Sequence, residues 1–146
     1  MSFSFGNIEL SSILPNEKLI IEELLSSIGT VSFVSNEEQI DLITAISGSG
    51  PAYFFYLTEA LTEIAMDLGI SKEDATNFAK NTFIGSAILL DSEKSNNATS
   101  LRKNVTSPGG TTEAALKILM NEEEGLKVIL KKAVLNAINR AHELKN

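Results

Sequence analysis

Val105-Thr106-Ser107-Pro108-Gly109-Gly110-Thr111-Thr112-Glu113-Ala114-Ala115-Leu116 is a tight turn, rich in hydroxyls and glycine, that runs directly into an apolar helical pattern. Pro108 fixes one φ angle and brings no N–H, while Gly109 and Gly110 permit backbone angles that a Cβ forbids. Either Thr111 or Thr112 suits the N-cap of a helix beginning at Ala114. The first N–H groups of such a helix have no intrahelical partner and carry the positive end of its dipole. Glycines admit close approach, and the hydroxyls of Ser107, Thr111 and Thr112 stand at the rim. The turn therefore has the make-up of a small anion site, fit for the carboxylate of a small molecule. The same residues also suffice for a plain capped turn between two helices that binds nothing.

On the C-terminal side the pattern predicts a helix from Thr112 to Met120, ended by Asn121. A last helix starts near Glu122 to Glu124, whose acidic side chains suit a helix N-terminus. Leu126, Leu130, Ala133, Val134, Ala137, Ile138 and Ala141 give it one apolar face, and His142 reads as a solvated residue on its last turn.

On the N-terminal side, Asp91 to Ser100 is a polar loop leading to a short helix around Leu101 to Val105. Before it, Ser71 with Asp74 opens a helix in a variant of the capping box. Ala75, Phe78, Ala79, Thr82, Phe83, Ser86, Ala87 and Leu90 recur on one face of that helix, and core packing explains them. The helix from Pro51 to about Leu68, ended by Gly69, begins Ala52-Tyr53-Phe54-Phe55-Tyr56-Leu57 and is apolar all round. A helix of that kind is buried on every side. So small a chain has few helices to cover it, which points to a second subunit; Tyr53 and Tyr56 read as core. A further helix from about Glu37 to Ala45 stops at Ser47-Gly48-Ser49-Gly50, and Pro51 takes the favoured first-turn position of the next.

The first 36 residues differ in kind. Ser2-Phe3-Ser4-Phe5 alternates like a strand, Pro15 opens a helix ended by Gly29, and Thr30 to Val34 is β-branched and aromatic, hence a strand. Two short strands and one helix make no sheet that covers itself.

The totals narrow the function classes. The chain has 146 residues and is 43% hydrophobic, so it can build a core. A formal net charge of −7 argues against nucleic acid or an anionic membrane surface as the main partner. There is no cysteine and a single histidine, so thiolate and histidine-rich metal sites are excluded. The uncharged run from Leu42 to Thr58 is broken by Gly48, Gly50 and Pro51 and makes no spanning helix, and no signal peptide is read at the start.

Three features stand in fixed order: Leu42-Ile43-Thr44-Ala45-Ile46-Ser47-Gly48-Ser49-Gly50-Pro51-Ala52-Tyr53, then Leu68-Gly69, then Asn104-Val105-Thr106-Ser107-Pro108-Gly109-Gly110-Thr111-Thr112. Together they closely resemble pyrroline-5-carboxylate reductase, the NAD(P)H enzyme that makes L-proline. The resemblance covers essentially the whole chain. The departure is the family's glycine-rich dinucleotide fingerprint, which this sequence does not contain.

The fold implied by the resemblance is mainly α. It is an all-helical substrate-binding and dimerisation domain of the 6-phosphogluconate dehydrogenase C-terminal type over residues 37–146, preceded over 1–36 by a strand–helix–strand remnant of a Rossmann domain. A cytoplasmic enzyme is implied, using NADPH or NADH, with its main cofactor domain absent from this sequence and the chain inactive alone. The implied partners are 1-pyrroline-5-carboxylate, L-proline and further copies of the chain, in an interlocked homodimer or a higher homo-oligomer. Ser107 and the N–H groups of Gly109, Gly110, Thr111 and Thr112 would bind the substrate carboxylate, and the Thr112 hydroxyl would hold the ring nitrogen as the catalytic contact. Ser47 to Pro51 would face the cofactor–substrate junction, with Ser49, Gly50 and Pro51 near the nicotinamide. By the resemblance Glu93 would correspond to a family carboxylate near the substrate, and on its own surroundings it reads equally as a solvated loop charge. Two other readings keep the helical fold: a dimerisation module without chemistry, and a related imine or hydroxyacid dehydrogenase. The intact Ser-Pro-Gly-Gly-Thr-Thr turn speaks against both.

Overall fold

Helices dominate, and most begin at a residue whose side chain or ring fits a helix start. A computed structural model describes residues 7–9, 14–27, 31–34, 36–92 and 97–144. By their contacts these fall into two units, Met1–Pro51 with Lys131–Asn146, and Ala52–Leu130.

In the first unit, strand β1 (Asn7–Glu9) pairs in parallel with β2 (Ser32–Val34), Ile8 opposite Phe33. Helix α1 (Pro15–Ser26) makes the crossover that a parallel pair requires. Pro15 sits in its first turn, and the Leu14 N–H donates to Glu17 Oε2 at 2.9 Å, so one orphan donor is met. The Lys18 ammonium stands 4.4 Å from the centre of the Phe33 ring, tying α1 to β2. Asn36 caps α2 (Glu37–Ile43) by accepting the Gln39 N–H at 3.0 Å. The chain then widens into a π-turn over Thr44–Gly48, where the Ser49 N–H reaches Thr44 C=O at 2.9 Å. Val34, Ala45 and Asp41 are buried in this unit.

Helix α3 (Gly50–Asp67) follows without a loop and continues into the second unit. Gly69 ends it at φ +94°, with its N–H on Met66 C=O and the Ile70 N–H on Ala65 C=O. This is the Schellman pattern, and glycine adopts its left-handed residue without a Cβ penalty. Helix α4 (Lys72–Ser92) starts at Ser71, whose Oγ accepts the Asp74 N–H at 3.2 Å and donates to Asp74 Oδ2 at 2.8 Å. Ala75 and Ala79 of α4 are buried, and the Phe54 and Phe83 rings meet at 5.6 Å. Helix α5 (Ala98–Asn104) is capped by Asn97. Helices α6 (Thr111–Leu119) and α7 (Leu126–Leu144) follow, α7 from Lys131 on belonging to the first unit.

Several expectations shift. The last helix starts at Leu126, not at Glu122 to Glu124. The Asn121 side chain accepts the N–H groups of Glu123 and Glu124, at 2.8 and 3.0 Å, and so holds those residues in a turn. The α4 face expected to be core is only partly covered: Phe78 is 60% exposed and Leu90 49%. Tyr56, expected in the core, is 69% exposed; Tyr53 is half-buried. His142 does more than meet solvent, since its Nε2 lies 3.2 Å from Asp41 Oδ2. The helix from Glu37 passes through a π-turn where a stop at Ser47 to Gly50 was expected, and Ser47 helps by donating its hydroxyl to Ile43 C=O. Helix α1 closes at Ser26, while Gly29, Thr30 and the Ser2 to Phe5 alternation lie outside the described residues.

Candidate functional site

The turn before α6 is built by its own backbone. Gly110 N–H donates to Ser107 C=O at 3.0 Å, with Pro108 and Gly109 at the corner and Gly109 at φ +72°. Proline second and a left-handed glycine third are the type II arrangement. A Cβ on Gly110 would stand 3.1 Å from Ser107 O, so the position is also short of room.

The N-cap is Gly110 in place of Thr111 or Thr112, and the helix begins at Thr111, one residue before the Thr112 start of the expected run to Met120 and three before Ala114. The reason is local. Gly110 is held extended (φ −82°, ψ 171°) by the turn, and its C=O accepts the first helical bond, from Ala114 N–H at 3.1 Å. Neither threonine is left to cap. Their side chains are released instead: the hydroxyls of Ser107, Thr111 and Thr112 make no hydrogen bond among the described residues.

The donors divide in the same way. Gly110 N–H is engaged in the turn. Gly109 N–H is taken by Glu113, whose Oε2 accepts it at 2.9 Å. The N–H groups of Thr111 and Thr112 have no partner among the described residues and point along the helix axis at the positive end of its dipole. Five of the expected site residues, Ser107, Gly109, Gly110, Thr111 and Thr112, thus share one short turn in the second unit. Glu113 is the participant that the sequence reading quoted without giving it a role. Its signal was present, because a Glu three residues past the N-cap commonly reaches back to a donor at the helix start.

The remaining expected positions stand elsewhere. Gly50 is buried and begins α3, with Pro51 next to it; Ser49 is half-buried with its N–H in the π-turn, and all three belong to the first unit. Glu93 lies outside the described residues. Among the described residues no three His, Asp or Glu side chains gather as a metal site, and no helix is long and apolar enough to cross a membrane.

Fold and turn together define a mainly helical domain that presents a carboxylate-sized donor set at a helix start and leaves large apolar faces open. The family model described as pyrroline-5-carboxylate reductase dimerisation matches residues 37–144. The chain belongs to the pyrroline-5-carboxylate reductase family. It is 42% identical over 122 residues to the pyrroline-5-carboxylate reductase of Pseudomonas aeruginosa, covering 84% of this chain and 44% of that protein. It is 38% identical to the Mycobacterium tuberculosis enzyme, covering 91% and 50%. The solved pyrroline-5-carboxylate reductase of Coxiella burnetii superposes with a TM-score of 0.80 at 42% identity, over 92% of this chain and 48% of that one. The Plasmodium falciparum pyrroline carboxylate reductase, solved with NADP bound, gives 0.74 at 27% identity, over 93% and 50%. The chain therefore spans about half the length of the relatives it matches.

Proposed function

We propose that this chain is the substrate-binding and homodimerising part of a pyrroline-5-carboxylate reductase, which reduces the cyclic imine 1-pyrroline-5-carboxylate to L-proline. The observation that carries this reading is the α6 turn, which offers free N–H groups and free hydroxyls within a chain of this family. The Ser107 hydroxyl and the Thr111 and Thr112 N–H groups receive the substrate carboxylate, in the low-cost, preorganised way of a helix start. The Thr112 hydroxyl meets the ring nitrogen and fixes which face of the C=N bond is presented. Reduction breaks the C=N π bond: hydride adds to C2, the imine carbon that becomes C5 of proline, and a proton drawn from solvent ends on the ring nitrogen. No protein nucleophile is required, so positioning is the main contribution of these residues.

NADPH or NADH supplies the hydride. The residues present do not fit a dinucleotide: the sequence has no glycine-rich fingerprint, and the described strands form one two-stranded ladder. That binding would fall to a cofactor domain of the family type, which by the resemblance would bring the nicotinamide against Ser49, Gly50 and Pro51. The boundary at residues 36 and 37 separates the remnant of that domain from the helical one.

The test is Thr112→Ala in an enzyme carrying both halves. Turnover should fall by roughly 10- to 100-fold with the dimer intact, as expected for a lost positioning contact. Unchanged turnover removes Thr112 from the site. The 146-residue chain alone should bind L-proline and should not oxidise NAD(P)H when given pyrroline-5-carboxylate.

A further inference from the structure

Glu113 sits where an incoming carboxylate would have to compete. It occupies the third position of α6, after Gly110, Thr111 and Thr112, and its side chain folds back over the helix start. Its Oε2 accepts the Gly109 N–H at 2.9 Å. Gly110 N–H, the donor that a Glu at this position ordinarily takes, is already engaged by Ser107 C=O at 3.0 Å. The carboxylate therefore reaches one residue further, into the left-handed glycine of the turn. It brings a full negative charge next to the free Thr111 and Thr112 N–H groups.

We propose that Glu113 is a resident counter-anion that sets how tightly, and how selectively, this turn takes a carboxylate. The inference rests on the reading of the turn as the substrate's carboxylate site. In the free protein Glu113 holds Gly109 and Gly110 in their turn and fills the donor that an anion would otherwise claim. A ligand carboxylate arriving at Thr111 and Thr112 meets a like charge held in the same turn. It either displaces Glu113 from Gly109 or binds against its repulsion. In both cases a single charge is tolerated and a second is opposed, so the turn favours a monocarboxylate over a dianion of similar size. Glu113 acts through the turn and its field and does not contact the reacting atoms.

The probe is cyclopentanecarboxylate, which keeps the five-membered ring and the carboxylate and lacks the nitrogen, so Glu113 acts on it through charge alone. Its affinity for the 146-residue chain is measured by following the Gly109 amide in NMR spectra, for wild type, Glu113→Gln and Glu113→Ala. Glu113→Gln keeps an acceptor for the Gly109 N–H and removes the charge. It should tighten binding about threefold to tenfold at low salt, and the gain should shrink at high salt, where screening shortens to a few ångströms. Glu113→Ala frees the turn and should show the same salt-dependent gain on a less stable protein. A role confined to holding the turn would give no salt-dependent gain for the Gln variant. Equal or weaker binding by Glu113→Gln overturns the counter-anion and leaves the site reading standing. Binding to neither wild type nor variant overturns the turn as a carboxylate site, and the counter-anion with it.

Discussion

Gly109 and Gly125 show how much of this chain depends on what a side chain would do if it were there. Gly109 stands at φ +72° with open space around its missing Cβ, so an alanine there meets only the left-handed backbone penalty. Gly109→Ala should lower stability by about 1 kcal/mol, read as a shifted urea midpoint. Gly125 is a different case. It is buried, and a Cβ would fall 2.7 Å from both Asn121 N and Leu119 O. Backbone cannot yield as a flexible side chain can, so Gly125→Ala should cost more, about 2–3 kcal/mol. If the two variants melt alike, the packing of the turn before α7 is other than described. The same scale explains why the sequence alone assigns Glu113 no role at the site. A carboxylate in a first helical turn suits the dipole anyway, and only the prior engagement of Gly110 N–H sends it to Gly109.

Elements were legible where local chemistry decides them. Ser71 with Asp74 opened α4 as expected, and Pro15 opened α1. Ser71→Ala should cost about 1 kcal/mol, and hydrogen exchange should quicken in the first turn of α4 while the rest of the helix keeps its protection. Uniform quickening along α4 would instead tie the cap to the whole helix. Local chemistry misled where a polar side chain or a ring of neighbours offered a second option. Asn121 draws Glu123 and Glu124 into a turn, although acidic residues are good helix starters. The π-turn at Thr44–Gly48 carries no propensity signal, since Ser and Gly at its end look like a stop. At the site, the hydroxyls, glycines and proline of the α6 turn were all readable. Which N–H groups stay free was not, because it depends on the turn type and on Glu113.

For the molecule as a whole, the telling residues are apolar and uncovered. Phe54, Phe55 and Tyr56 of α3 are 54%, 66% and 69% exposed, and Ile88 of α4 is 63% exposed. The all-round apolar start of α3 is thus not enclosed by the described residues, which agrees with cover by a second copy. Phe54→Asp, which sets a charge in that face beside Phe83, should abolish the dimer and, with it, the fold. Sedimentation together with far-UV circular dichroism checks this; a folded monomer would overturn the interlocked arrangement.

Those uncovered faces of α3 and α4 also change what stability means for this protein. In the proposed homodimer a second copy completes the core, so unfolding would separate two molecules and its free energy would follow mass action. Each tenfold dilution then removes about 1.4 kcal/mol per mole of dimer, so the melting temperature becomes a function of how much of the chain is made. Abundance, set by synthesis and turnover, would decide how much of it stays folded.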